Sequence, residues 1–355
     1  MMRGGTSSGP YFHANDLPED RPTMEAVLLR LMGSPDPRQI DGIGGATTVT
    51  SKVAIVSRSD HPDADIDYLF AQVDIENCRV DWEPTCGNML SGVGPFAIEE
   101  RLLGAEPGVT ELVVRNVNTE SLIDVTVQTP GGRLTYEGDC VIAGVPGAGA
   151  PIGLRFREIM GSQTTSLLPT GNCIDNFAGV EATCIDVAMP MVIVRAHDMG
   201  LEGDEQPSEL TRNSAFMGRL HTIRQLAGRA MGLGDVAGRV VPKFAVVSAP
   251  KAEGHFASRY FTPSHCHPAY AVSGSIAAAS CALLPGSIGH QVARSDNRLP
   301  NLVQIEHPSG SMDVQLEVKL KAGHLSVLSG GIVRTARRLT AGVVYVPTSI
   351  WLDET

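Results

Sequence analysis

Two features of this 355-residue chain recur at nearly the same spacing. Cys86-Gly-Asn88 and Ser273-Gly-Ser275 each precede a run of small and apolar residues, and they begin 187 residues apart. The strand-like runs that start at Asp124 and Asp313 lie 189 residues apart, and a glycine turn follows each, the second at Gly323. Two features at one offset indicate a duplicated unit somewhat longer than half the chain. The alternative is chance similarity between common hairpins.

Local patterns predict many short strands and few helices. Turn-bounded, β-branched runs predict strands at Ser51–Ser57, Tyr68–Val73, Glu111–Asn116, Ile123–Gln128, Met191–Arg195, Phe244–Ser248 and Met312–Lys319. Helical patterns run over Met24–Met32, from Gly87 to about Leu103, and over Ser208–Met231 and Gly274–Leu284, with Thr23 as the first N-cap. This mixture predicts an α+β protein rather than a βαβ series. We expect two halves, residues 1–182 and 183–355, with a C-terminal strand free to return to the first half.

Composition excludes several classes of function. The net charge of −11, from 28 basic and 39 acidic residues, argues against a nucleic-acid partner, because phosphate binding needs a basic field. No apolar run approaches the roughly 18–20 residues of a membrane span. Seven cysteines without CxxC spacing indicate reduced thiols in the cytoplasm. The sequence also lacks zinc-ligand spacing and a GxGxxG motif, so we expect no metal and no nicotinamide cofactor.

The first of the repeated motifs places a cysteine at a helix start. Free N–H groups there favour negative charge, so Gly87 and Asn88 can hold a carboxylate or an enolate while Cys86 acts as a reactive thiol. By symmetry, Ser273, Gly274 and Ser275 can do the same in the second half. The alternative for Cys86 is a packed structural thiol, the usual role of an isolated cysteine.

A glycine-rich segment over residues 41–45 leads through Ser51 and Lys52 into an apolar strand. If the strand start is buried, desolvation favours the neutral amine of Lys52, which is the form that acts as a base. The alternative is a surface lysine at a strand start.

Three further polar segments are candidate binding elements. Arg3-Gly-Gly-Thr-Ser7 combines a guanidinium, backbone amides and hydroxyls, which suits carboxylates, and its candidate contacts are Arg3, Gly4, Thr6 and Ser7. It is also placed where a terminus can fray. The turn that holds Thr170 and Asn172, and the turn over residues 248–251, can each line a cleft.

Together these segments resemble the methylaconitate isomerase (PrpF-like) family, and within it the 4-oxalomesaconate tautomerase and Δ-isomerase branch. The resemblance spans nearly the whole chain and rests on residues 2–7, 32–45, 50–54, 67–73, 86–88, 92–97, 168–172, 233–235, 306–310 and 333–337. Ser8 departs from the family pattern, which usually has a lysine there, and this bears on the identity of the substrate.

The resemblance implies a diaminopimelate-epimerase-like fold: two pseudo-symmetric halves, each a curled sheet around a central helix, with a cleft between them. It implies no cofactor, and it gives Lys52 and Cys86 the acid/base roles in moving a double bond. The implied partner is a small di- or tricarboxylate, and the first expectation is 4-oxalomesaconate of protocatechuate or gallate catabolism. Two alternatives stay open: the substrate is aconitate or 2-methylaconitate, or the protein has a non-catalytic binding role. A homodimer also stays open.

Overall fold

The computed structural model describes residues 1–83, 85–294, 302–321 and 324–351. The strands are β1 Met2–Gly4, β2 Ser7–Gly9, β3 Tyr11–His13, β4 Lys52–Arg58, β5 Ile66–Val73, β6 Val80–Asp81, β7 Gly108–Asn116, β8 Ser121–Thr129, β9 Ile152–Arg157, β10 Asp175–Phe177, β11 Val180–Asp186, β12 Pro190–Arg195, β13 Lys243–Ser248, β14 Phe256–Thr262, β15 His265–Cys266, β16 Leu302–His307, β17 Gly310–Lys321, β18 His324–Arg334 and β19 Ala336–Arg338. The α-helices are α1 Arg21–Met32, α2 Gly87–Leu90, α3 Val93–Glu99, α4 Pro207–Arg212, α5 Ser214–Ala230, α6 Val272–Leu283 and α7 Ile288–Val292. Every predicted strand therefore exists, while the turn predicted at Gly323 lies outside the described residues.

The chain divides into two compact units. The first comprises Met1–Leu154 together with Val333–Thr355, and the second is Arg155–Ile332. The end of the chain returns to the first unit because β19 pairs with β1, opposing Ala336 to Gly4. The boundary we expected after residue 182 falls inside the second unit.

The same strand topology occurs in both units. In the first, β3 pairs parallel with β4, β4 antiparallel with β5, β5 parallel with β7, and β7 antiparallel with β8. In the second, β12, β13, β14, β16 and β17 repeat this alternation in the same order. The strands β4 and β13 begin with the related sequences Lys52-Val-Ala-Ile-Val-Ser57 and Lys243-Phe-Ala-Val-Val-Ser248. This common topology supports the duplication inferred from the sequence.

Each unit has a helix on either face of its sheet. In the first, Val53 and Ile55 of β4 pack against α1, and the other face of the sheet covers the buried helices α2 and α3. In the second, Phe244 and Val246 of β13 pack against α5, and α6 is buried along its whole length. Side chains alternate along a strand, so Lys52 and Lys243 lie on the central-helix face of their units.

Three helix predictions were wrong in detail. The first helix is capped by Asp20, whose carboxylate accepts the N–H of Thr23 at 2.9 Å, so Thr23 lies inside the helix. The helix predicted from Gly87 to Leu103 is interrupted between α2 and α3, because Pro95 has no N–H to donate to the carbonyl four residues before it. The helix predicted over residues 208–231 is divided at Asn213, whose extended backbone ends α4 and caps α5.

Within the described ranges, none of the helices combines the length and the apolar character that crossing a membrane requires.

Candidate active site

Lys52 begins β4 and is half-buried. The strand register places Gln72 of β5 opposite it, and Lys52 Nζ donates a hydrogen bond to Gln72 Oε1 at 2.6 Å. The amine also lies 5.1 Å from the centroid of the Phe70 ring. In the part of the chain that the structure describes, no carboxylate lies within ion-pair distance of this amine. The contacts of the amine among the described residues are therefore a neutral amide and an aromatic face.

The amide of Gln72 is oriented by its own donors. Its Nε2 group donates to the carbonyl oxygens of Ser51 at 2.7 Å and Thr48 at 3.3 Å, which turns the amide oxygen toward the lysine. The hydroxyl of Ser51 is fully buried; it donates to Val73 O at 2.9 Å and accepts from Gln39 Nε2 at 2.8 Å. The substrate contact that we predicted for Ser51 is thus corrected, because its hydroxyl is satisfied inside the unit and supports the strand start.

Cys86 is the N-cap of α2 and is nearly buried. Its carbonyl oxygen accepts the Tyr68 hydroxyl at 3.2 Å and the Leu90 N–H at 2.9 Å, which fixes the backbone on both sides of the thiol. Its sulfur has no hydrogen-bond partner among the described residues. The N–H groups of Gly87 and Asn88 belong to the first helical turn, where no intrahelical acceptor exists. The helix start predicted after Cys86 is therefore present, although α2 is only four residues long, while the roles of Cys86, Gly87 and Asn88 stay predictions.

The amine-bearing strand and the thiol-bearing helix approach each other at Gly9 of β2. A Cβ atom at Gly9 would lie 1.9 Å from Lys52 O and 3.2 Å from Met89 Cε, so only glycine fits between them. Tyr11 completes this packing by donating its hydroxyl to Met89 O. The pKa of Tyr11 is raised far above its ordinary value, mainly by burial and to a smaller extent by the nearby Cys86 thiol. The phenol therefore stays protonated and acts as a donor.

Arg3 brings a guanidinium to the same unit. Its Nη1 group donates to the carbonyl oxygens of Gly5 at 3.0 Å and Thr335 at 2.8 Å. The pKa of Arg3 is lowered, mainly by burial and to a smaller extent by the positive charge of Arg337. None of the described carboxylates forms an ion pair with Arg3. A half-buried guanidinium that pairs with none of the described carboxylates is suited to bind one from a ligand.

The N-terminal segment packs directly on α2. The N–H of Thr6 donates to Asn88 Oδ1 at 3.4 Å, and the Thr6 hydroxyl oxygen is buried without a hydrogen-bond partner. Gly4 lies against the carbonyl oxygen of Asn88, and Ser7 is buried opposite Gly4 in β2. The structure therefore brings together the predicted residues of the first half, with Ser51 as the exception noted above.

In the second unit, Thr170 and Asn172 hold a carboxylate of the chain itself. Thr170 Oγ1 donates to Asp175 Oδ2 at 2.7 Å, and Asn172 Nδ2 donates to Asp175 Oδ1 at 2.8 Å. Both side chains stabilise their own turn, and their contact with a substrate stays a prediction.

The start of α6 also differs from the prediction. The helix begins at Val272, two residues earlier than expected, so the N–H of Ser275 already donates to Ala271 O at 2.9 Å. The Ser275 hydroxyl donates to Val272 O at 2.8 Å, and both donors are therefore used inside the helix. Gly274 lies beneath the Tyr260 ring.

Ser273 precedes Gly274 in the first turn, and its hydroxyl contacts Met189 Sδ at 3.4 Å. This sulfur is a weak acceptor, so Ser273 is the predicted residue of the second unit whose hydroxyl is least strongly engaged.

A cavity in the second unit lies beside the polar turn over residues 248–251. Its charges are matched by the chain itself: Lys251 forms an ion pair with Asp204, and Glu306 accepts backbone N–H groups from residues 251, 252 and 254. Arg259 donates to Glu205 O at 2.9 Å in the same wall. We therefore place the candidate active site at the group of residues around Lys52 and Cys86.

Sequence reasoning did not select four side chains that shape this site: Gln72, Tyr11, Tyr68 and Arg334. Three of them lie in runs that carry the family resemblance, residues 67–73 and 333–337. Their roles come from contacts across the sheet or from the far end of the chain, which local patterns do not show.

The topology of both units, a sheet around a buried helix, defines an α+β protein with the epimerase-like fold. A hydroxyproline epimerase from Agrobacterium vitis shares this fold, with a TM-score of 0.56 at 11% identity over 99% of this chain and 95% of that one.

A family model described as "PrpF protein" matches residues 1–347, and the chain belongs to the PrpF family. It is 45% identical over 345 residues to a (4E)-oxalomesaconate Delta-isomerase of Novosphingobium sp. (strain KA1), covering 97% of this chain and 96% of the relative. It is 44% identical over 351 residues to a 4-oxalomesaconate tautomerase of Pseudomonas putida, covering 99% and 96%. The crystal structure of a methylitaconate-delta-isomerase matches with a TM-score of 0.81 at 35% identity, covering 99% and 96%. The protein is an isomerase.

Proposed function

We propose that this isomerase moves a double bond in an unsaturated tricarboxylate, with 4-oxalomesaconate as its substrate and Lys52 and Cys86 as its acid/base pair. The names of two full-length relatives support this substrate. The observation that carries the proposal is the approach, at Gly9, of the strand that begins with Lys52 to the helix that follows Cys86. The cysteines are free thiols, which supports a cytoplasmic setting.

The proposed reaction is a proton transfer at two positions of one substrate. A base removes a proton from a carbon next to a carbonyl or vinylogous carboxylate, the electron pair enters a dienolate, and an acid returns a proton at the other end. We assign the first step to Lys52, whose amine accepts a proton in its neutral form and whose described neighbours are the Gln72 amide oxygen and the Phe70 ring. The Cys86 thiol can supply the returning proton, and the reverse assignment uses the same two groups.

The negative charge of the substrate is met by Arg3, Thr6 and Asn88. Arg3 offers a guanidinium without a described ion-pair partner. Thr6 offers a buried hydroxyl without a hydrogen-bond partner, and Asn88 offers a side-chain amide. Donors placed around a developing dienolate stabilise it most where water is excluded. Ser273 in the second unit stays a prediction as a further contact.

Incubation in deuterated water tests the substrate. The protein is mixed separately with 4-oxalomesaconate, aconitate and 2-methylaconitate, and deuterium in the recovered acid is measured by NMR. We expect enzyme-dependent uptake with 4-oxalomesaconate, and the labelled position separates tautomerisation from an allylic shift. Uptake with only one of the other two acids would assign that substrate instead, and uptake with none would indicate a binding role.

Two substitutions test the acid/base pair. Lys52→Met is expected to keep the fold and abolish turnover, while retention of more than about a tenth of the wild-type rate would contradict the role of the lysine, since acid/base groups contribute at least about 100-fold. Lys319→Met, an exposed lysine in β17, is the matched control.

Cys86→Ser is expected to be severely impaired, because a hydroxyl is a far weaker acid than a thiol. Full activity would make Cys86 a packing residue. Cys78→Ser, which changes an exposed thiol of the same unit, is the matched control and is expected to retain wild-type turnover.

A further inference from the structure

The side-chain amide of Asn88 is held in one orientation by two donors on its oxygen. Asn88 Oδ1 accepts the N–H of Thr6 at 3.4 Å and the Nε–H of Arg334 at 3.2 Å. A Cβ atom at Gly5 would lie 2.1 Å from the same oxygen, so the backbone closes over it. Because both donors point at Oδ1, the Nδ2 group must lie on the other side of the amide, since a reversed amide would set N–H groups against N–H groups.

Arg334, the last residue of β18, is nearly fully buried and lies 246 residues from Asn88 in sequence. Its Nη1 group donates to Val333 O at 3.0 Å. Burial lowers the pKa of Arg334 to about 9, which shows how unfavourable this position is for a guanidinium. The Nε–H of this buried guanidinium is a directional donor, and it acts on Asn88 Oδ1.

Two donors beside this contact are unused by the chain. Asn88 Nδ2 donates to none of the described residues, and the Thr6 hydroxyl oxygen is buried without a hydrogen-bond partner. The hydrogen bond from the Thr6 N–H to Asn88 Oδ1 places residue Thr6 beside the Asn88 side chain. A buried hydroxyl without a partner is unfavourable unless a ligand completes it, and a hydroxyl and an amide N–H can each donate to one oxygen of a carboxylate.

We infer that Arg334 is a positioning residue: it fixes the Asn88 amide so that Nδ2, together with the Thr6 hydroxyl, binds one carboxylate of the substrate. This inference rests on the proposed function, since it assigns a carboxylate contact within the same site.

Binding is measured by titration calorimetry of 4-oxalomesaconate into the Lys52→Met protein, in which the ligand is not turned over. Arg334→Gln and Asn88→Ala are each expected to raise Kd about tenfold, the effect of losing one hydrogen bond to a charged group. If Arg334 acts through Asn88, the double variant raises Kd no further than Asn88→Ala alone. Arg133→Gln, an exposed arginine of the same unit, is the control and leaves Kd unchanged.

The pattern of effects separates positioning from a general structural role. If the two residues contributed independently, their free-energy effects would add and the double variant would raise Kd about a hundredfold. That result would overturn the inference. An unchanged Kd in Arg334→Gln would also overturn it while leaving the proposed function intact. Should Arg334→Gln not fold, Arg334→Lys replaces it, and the same lack of additivity with Asn88→Ala is expected. Absence of binding to the Lys52→Met protein would overturn the proposed function together with this inference.

Discussion

Replacing Gln72 by glutamate tests whether Lys52 works as a neutral base. The substitution keeps the length of the side chain and places a carboxylate where the amide oxygen now accepts from Lys52 Nζ at 2.6 Å. Two unit charges about 4 Å apart attract by about 4 kcal/mol at an effective dielectric constant of about 20. The amine is only half-buried, so solvent screening reduces this to about 1–2 kcal/mol. The protonated form of the amine is stabilised by that amount.

The consequence is a change in the pH dependence of catalysis. About 1.4 kcal/mol corresponds to a tenfold change in the fraction of neutral amine. We therefore expect kcat/KM for 4-oxalomesaconate at neutral pH to fall about tenfold in Gln72→Glu, and the acidic limb of its pH profile to move up by about one pH unit. The assay is the initial rate between about pH 5 and 11, a range that includes the ordinary pKa of a lysine, followed by absorbance of the conjugated acid.

Gln72→Met is the matched control, because it removes the hydrogen bond without adding charge. It is expected to reduce kcat/KM without moving the acidic limb. Both variants lose the Nε2 donor, which now binds Ser51 O at 2.7 Å. A glutamate variant whose pH profile coincides with that of Gln72→Met would refute the reasoning.

Two further predictions concern packing and thiol chemistry. Gly9→Ala places a Cβ 1.9 Å from Lys52 O, so we expect a loss of about 1–3 kcal/mol in the free energy of unfolding and at least a tenfold loss of kcat. Gly104→Ala, with open space around its Cβ, is the control and should change neither quantity. Equal denaturation midpoints for the two variants would contradict the contact at Gly9. Burial raises the pKa of Cys281 to about 11. At pH 8, iodoacetamide is therefore expected to modify the exposed Cys78 and to leave Cys281 unmodified, as measured by peptide mass spectrometry. Equal labelling of the two cysteines would show that the Cys281 thiol is accessible.

Much of the fold follows from local patterns in the sequence. Short β-branched runs bounded by turns identified the strands that follow Lys52 and Lys243, because such runs fit a buried sheet. The interruption between α2 and α3 was not predicted, although its cause is local: the missing N–H of Pro95 acts within one turn. The repeat spacing indicated two copies of one unit, and the common strand order of the two units supports it.

The sequence by itself also singled out Lys52 and Cys86, since each stands next to glycine-rich or small residues at the start of an element. Only the tertiary structure decided which polar groups near them remain available. Ser51 looked like a binding residue and is instead fully satisfied in the interior, whereas Asn88 is oriented by Arg334 from the other end of the chain. Hydrogen bonds of this kind depend on distance and direction in space, and the spacing of residues along the chain carries neither.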